Sequence, residues 1–298
     1  MKAVLETTRI KFKNVLVATD FTPASRNAIR AAAGIAGLAE ANVYLFHVVR
    51  PVVYPAEAAM VVPPNNEPAV EMAQAELDRL ARTPRLAGIH HEEIVRVGAI
   101  WEELERVIHE KHIDLIVVGT HGQGKVEKLV IGSVAEEIFR KAYCPVMTVG
   151  PNVTAREAGE AEFREILYVT DFSVQSLRAA QYATALAQEH NAQVTLLNVS
   201  EPPTDKALNA EVRAKTAIVA RLRELVPEDA NLWCEPHFRV EFGDPACRIL
   251  DVADERNADL IVMGVHRGGI GASHAPWATA SKVVHNARCP VLTIREHH

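Results

Sequence analysis

Residues 119–133 read GTHGQGKVEKLVIGS, a run of glycines followed by a lysine and a serine. These residue types can hold a phosphate, because glycine lets backbone N–H groups approach the oxygens and a hydroxyl or ammonium adds a donor. The first eight residues nearly complete the phosphate-binding pattern G-x-x-x-x-G-K-[ST]. The last of them, Val126, has no hydroxyl to place on a magnesium ion. A hydroxyl arrives later, at Ser133, where SVAEEIFRKA opens an amphipathic helical run. The start of that helix would present unpaired N–H groups and a partial positive charge to the same anion. The constellation to be explained is therefore Gly119, Gly122, Gly132 and Ser133. Lys125 could reach a phosphate, although a loop lysine is more often simply solvated.

The elements around this loop decide how it can be used. VLVAT, VYLFHVV, EEIVRV, DLIVVG and PVMTV read as strands, mostly without strict alternation, as expected of parallel strands buried on both faces. PASRNAIRAAAGIAGLAE, EPAVEMAQAELDRLAR, IWEELERVIHEKH and SVAEEIFRKA read as the helices between them. Alternating strands and helices call for an open, mostly parallel α/β sheet of the Rossmann-like kind. Such sheets bind ligands beyond the carboxyl ends of their strands, where strand order reverses. Asp20 follows VLVAT and Gly119 follows DLIVV, so if those strands are neighbours their ends build one crevice. The aspartate could hold a ribose or base edge while the loop holds phosphates. Taken alone, Asp20 is equally suited to a helix cap or turn. A true P-loop follows the first strand of its domain, whereas this loop follows the fourth, which disfavours that reading.

The whole arrangement occurs twice. NVLVATDFTPAS (14–25) returns as EILYVTDFSVQS (165–176), and RVGAIWEEL (96–104) returns as VEFGDPACRIL (240–250). IDLIVVGTHG (113–122) returns as ADLIVMGVHR (258–267), and AYCPVMTV (142–149) returns as ARCPVLTI (287–294). One duplicated domain is the economical reading. It predicts two tandem five-stranded sheets flanked by helices, with domains at 1–150 and 164–298 and a linker at 151–163. Asp20 to Asp171 spans 151 residues and Gly119 to Gly264 spans 145, so the first copy carries about six extra residues. The proline-rich stretch 50–68 is where they belong.

Bulk properties narrow the class. The chain has 298 residues, 48% of them apolar, and a net charge of −6, which argues against a general nucleic-acid binder. It remains compatible with one anionic small molecule. No run approaches the roughly 20 apolar residues that cross a bilayer, and the N-terminus lacks a signal-peptide core. Four cysteines without a CxxC pair point to a reducing cytoplasm.

The full pattern G119-x2-G122-x9-G132-S133 matches the signature of the ATP-binding universal stress proteins with no position missing. Asp20 in VATDF, His47-Val48 in LFHVV and the Cys-Pro before the last strand also resemble that family. The resemblance spans nearly the whole chain as two fused copies, like the family's tandem-type members, and its fold is the adenine nucleotide alpha-hydrolase-like one. It implies ATP, with or without magnesium, as the bound cofactor. It implies Asp20 at the ribose or adenine and the Val48 backbone at the adenine edge. Val118 and Gly119 would border the nucleotide, and Gly122, Gly132, Ser133 and Val134 would wrap the phosphates. It also implies that the two copies pair as a pseudo-dimer, with or without a further homodimer.

The second copy departs from this pattern: Arg267 stands for Gly122, Trp277 for Gly132 and Ala278 for Ser133. It should not bind ATP in the family manner and reads as a structural partner. A site for another ligand near His266, Arg267, His274 and Trp277 is the sharper alternative. A zinc site from Cys234, His237, Cys247 and His285 fits no standard spacing. His109 and His112 read as a solvated helix face, and Cys144 and Cys289 as buried strand starts. No catalytic residue is assigned. The leading expectation is a nucleotide-binding stress-response sensor or regulator with little hydrolysis. A slow ATPase or phosphotransferase using Lys125, Ser133 and Asp20 is one alternative, and a non-nucleotide interaction scaffold is the other.

Overall fold

A computed structural model describes residues 11–51, 65–120, 132–153, 163–204, 209–226, 235–265 and 275–295, the side chains of 275–277 excepted. The first half contains β1 (Asn14–Ala18), α1 (Pro23–Ala39), β2 (Asn42–Val49), α2 (Glu67–Ala81) and β3 (His91–Val97). It continues with α3 (Ile100–Glu110), β4 (Leu115–Gly119), α4 (Ser133–Lys141) and β5 (Val146–Val149). The second half repeats the order as β6 (Glu165–Val169), α5 (Val174–His190), β7 (Gln193–Ser200), α6 (Ala210–Arg223) and β8 (His237–Phe242). It ends with α7 (Pro245–Arg256), β9 (Leu260–Gly264), α8 (Ala275–Asn286) and β10 (Val291–Ile294).

The strands follow the order β3-β2-β1-β4-β5-β10-β9-β6-β7-β8 in one ten-stranded sheet. Every pairing within a half is parallel. The two five-stranded sheets meet at β5 and β10, which pair antiparallel. Met147 faces Leu292 at the centre of this junction, between Val146 opposite Thr293 and Thr148 opposite Val291. Its symmetry extends to side chains. Thr148 Oγ1 donates to the Val291 carbonyl at 3.2 Å, and Thr293 Oγ1 donates to the Val146 carbonyl at 3.0 Å. The halves thus relate to each other as the subunits of a two-fold dimer would.

Alternation along the strands sends Val15 and Val17 to one core and Leu16 to the other. The first core takes α1, α2, α5 and α6, and the second takes α3, α4, α7 and α8. Both are continuous across the junction, where Phe12 of the first half stacks on Tyr182 of the second at 5.9 Å. Among the described residues, no helix is long and apolar enough to cross a membrane.

Candidate functional site

The adjacency left open by the sequence is present: β1 pairs with β4, and β2 lies on the other side of β1. Strand order reverses between β1 and β4, so their carboxyl ends flank the switch point of the first half. A cleft of about 140 Å³ opens there. Asp20, Val48, Val118, Gly119, Gly132, Ser133 and Val134 line it together with Thr19, Ser25, Phe46, His47 and Ile100. Gly122 and Lys125 lie outside the described residues.

The turn after β1 is built from short hydrogen bonds. Thr19 Oγ1 accepts from the Phe21 N–H at 3.1 Å and donates to Ser25 Oγ at 2.9 Å. Asp20 Oδ1 accepts from the Thr22 N–H at 3.1 Å and from the Thr22 hydroxyl at 2.5 Å. Thr22 in turn caps α1 by accepting from the Ser25 N–H, with Pro23 in the first turn. These bonds hold Phe21 at φ 66°, a conformation a bulky residue adopts only under constraint. The turn role and the binding role of Asp20 thus divide between its two oxygens. Oδ1 is committed to Thr22, and Oδ2 has no hydrogen bond among the described residues.

Gly119 has a reason of its own that the sequence does not display. A Cβ there would lie 2.7 Å from the Ala24 carbonyl carbon and 2.9 Å from the Ser25 nitrogen. The end of β4 therefore touches the first turn of α1, and only glycine permits the contact. The equivalent Gly264 in the second half would clash harder, at 2.3 Å from the Ser176 nitrogen. The glycine survives in both halves because helix-to-strand packing requires it, whatever else approaches it.

The far wall is the beginning of α4. Gly132 occupies the N-cap without a side-chain cap, and its N–H bonds back to the Thr120 carbonyl at 2.6 Å. The first bond of the helix runs from Glu136 N–H to the Gly132 carbonyl at 2.8 Å. The N–H groups of Ser133, Val134 and Ala135 therefore have no acceptor within the helix. These residues border the cleft, so the helix presents an uncapped, partly positive end to it.

The second half keeps the turn and alters the helix. Phe172 N–H donates to Thr170 Oγ1 at 2.9 Å, Ser173 N–H to Asp171 Oδ1 at 2.9 Å, and Phe172 stands at φ 63°. However, α8 starts at Ala275, three residues before the counterpart of Ser133. Trp277 thus sits inside a helix where Gly132 is a cap. The helix end is displaced by roughly 4.5 Å at 1.5 Å per residue. N–H groups that α4 leaves open are drawn into α8's own bonding. Arg221 of α6 also lies 3.8 Å from the Phe172 ring centre. His266, Arg267 and His274 lie outside the described residues.

The remaining clusters give no centre. Among the described residues no three His, Cys, Asp or Glu side chains come together to hold a metal, and Cys234 lies outside them. His109 and His112 are exposed. Cys144 and Cys289 are buried, and burial pushes the Cys144 thiol up to about 12.

The family model described as the universal stress protein family matches residues 11–150 and again 162–295. The chain belongs to the universal stress protein family. A universal stress protein of Mycolicibacterium smegmatis is 28% identical over 301 residues, covering 94% of this chain and 96% of its own length. Another, from Methanocaldococcus jannaschii, is 32% identical over 142 residues, covering 46% of this chain and 82% of its own. In solved structures, a universal stress protein of Archaeoglobus fulgidus superposes with a TM-score of 0.72 at 19% identity. It covers 97% of this chain and 100% of its own and shares the fold.

Proposed function

We propose that the first half binds ATP at the β1–β4 switch point and that the protein acts as a stress-response sensor or regulator with little or no hydrolysis. The observation that carries this reading is the convergence of three complementary features on one cleft. They are the Asp20 carboxylate, the outlying backbone of Val48 and the uncapped end of α4. A carboxylate oxygen suits ribose hydroxyls, a peptide edge suits a base, and a helix N-terminus suits phosphates. The groups sit in the order in which a nucleotide would need them. Were magnesium to accompany the nucleotide, Asp20 Oδ2 and the Ser133 hydroxyl are the oxygens suited to it or to its waters, and it would neutralise phosphate charge.

Asp20 is the one carboxylate among the described residues of this cleft, and half of it is used by the turn. That division favours binding over turnover. We assign the second half, 164–298, as the structural partner of domain 1–150, with 151–163 as linker. In this reading the pair works in the cytoplasm as an intramolecular pseudo-dimer.

The test is to denature the purified protein and identify released nucleotide by anion exchange and mass spectrometry, comparing wild type with Gly132→Trp. Intact ATP from wild type and none from the variant is the expected result. ADP alone would return the hydrolase alternative, and no uptake of ATP with magnesium would leave the scaffold.

A further inference from the structure

Parallel pairing between β1 and β2 ends at Ala18 and Phe46 while β2 runs on to Val49, and the residues at that end are repeated in both halves. Ala18 pairs with Phe46, and the Thr19 N–H donates to the Phe46 carbonyl at 2.9 Å. Continuing the ladder by one step would send the Val48 N–H to the Thr19 carbonyl and the Phe21 N–H to the Val48 carbonyl. Neither bond is made among the described residues, and a side chain meets each partner instead. His47 Nδ1 lies 2.8 Å from the Thr19 carbonyl, which can only accept, so the ring nitrogen donates. Thr19 Oγ1 accepts the Phe21 N–H instead. β2 meanwhile continues alongside β3 through Val49 opposite Val97, and the Gly98 N–H reaches the Val49 carbonyl on that side. Val48, alternating with Val49, turns its peptide groups to the opposite side, past the end of β1 and toward the cleft.

We infer that His47 and Thr19 form a positioning device that keeps the Val48 N–H and carbonyl unpaired, so that a base with adjacent donor and acceptor can pair with them. The inference rests on the nucleotide-binding reading above for its ligand, but not for its geometry. The second half supplies the decisive comparison. Asn198 occupies the place of His47, and its Nδ2 donates to the Thr170 carbonyl at 2.8 Å, while Thr170 Oγ1 accepts from Phe172. Histidine and asparagine share nothing here except a side-chain N–H at the right reach. The function of position 47 is therefore to occupy a carbonyl. The Phe21 ring packs tilted against the His47 ring, with their centres 4.4 Å apart, and supports this orientation.

The experiment compares His47→Asn and His47→Leu with wild type in the full chain, by amide hydrogen exchange at Val48 without nucleotide and by ATP and GTP titration. Thermal melting accompanies both to establish folding. Exchange at Val48 should be fast in wild type and His47→Asn and clearly slowed in His47→Leu, where the Thr19 carbonyl is released to the ladder. ATP should bind wild type and His47→Asn within about 3-fold of each other. It should bind His47→Leu about 10-fold more weakly, the worth of one to two hydrogen bonds. The preference for ATP over GTP should shrink in the same variant. Equal exchange at Val48 in all three folded proteins would overturn the inference. So would loss of ATP binding in His47→Asn with Val48 still fast, because histidine would then be a direct contact. Should wild type bind neither nucleotide while the exchange pattern appears, the proposed ligand fails and the positioning device stands.

Discussion

His190 makes the stability of this protein depend on pH in a way that can be worked out from its surroundings. It closes α5, is 7% exposed, and its Nδ1 accepts the Phe163 N–H at 3.1 Å. The proton of the neutral ring is therefore on Nε2, which is buried without a partner among the described residues. The Phe163 ring packs over it at 4.6 Å. Charging the ring would bury an ion and place a proton on the nitrogen that accepts from Phe163. Burial accordingly pushes the imidazole down to about 4 from 6.5. A base with a depressed folded value favours the native state fully above the unfolded value and loses that advantage as pH falls toward the folded one. Linkage gives a loss of about 1.4 kcal/mol at pH 5.5 and about 2.5 kcal/mol at pH 4.5, relative to pH 7.5. The assay is urea unfolding of wild type and His190→Gln at those three pH values, followed by circular dichroism. Carboxylates, including Glu189, titrate in both proteins, so the difference between the two curves isolates the histidine. Parallel stability profiles down to pH 4.5 would refute the argument, and with it the tie between Phe163 and α5.

Gly119→Ala and Gly264→Ala should each lower stability by about 1–3 kcal/mol by overpacking against the first turn of α1 or α5, read as a fall in melting temperature. A Gly264→Ala protein as stable as wild type would refute the packing explanation in the half that lacks the full glycine pattern. Thr148→Val should leave the buried Val291 carbonyl without its side-chain donor and cost about 1 kcal/mol, with Thr293→Val costing the same by symmetry, measured by chemical denaturation. Alkylation at pH 8 should label exposed Cys247 well before Cys144 and Cys289, as read by peptide mass spectrometry, since burial keeps the Cys144 thiol protonated. Asp20→Asn should weaken ATP binding while leaving the melting temperature nearly unchanged, because an amide oxygen can still accept from Thr22 in the turn.

What the sequence disclosed and what it hid follow from how far each contact reaches along the chain. The elements were legible because their signals are local: buried strands without alternation, amphipathic helices, Pro23 and Pro245 in first turns. The repeat made the second half readable from the first. Asp20, Val48 and the glycine pattern were identifiable as candidates, yet their reasons were partly concealed. The need for Gly119 arises at Ala24, 95 positions earlier, and no local pattern records that distance. The earlier start of α8 did leave a trace in Pro276, a residue suited to a first turn. The blocking role of His47 was also detectable in principle, from asparagine at its repeat position, but only once both residues are asked which carbonyl they can reach.

The junction of the sheets explains why a second half without the glycine pattern is retained. β5 is short and apolar, and the Val146 and Thr148 that face β10 belong to an edge no isolated domain could leave open without inviting association. Pairing with β10 closes that edge and buries both threonines. It also joins the cores on both faces of the sheet. At this junction the requirement on the second half is met by β9, β10 and the helices that support them. Selection for a rigid floor under the first cleft would preserve Gly264, which packs β9 against α5, while releasing the positions occupied by Trp277 and Ala278. That is the pattern of retention and loss the two halves display.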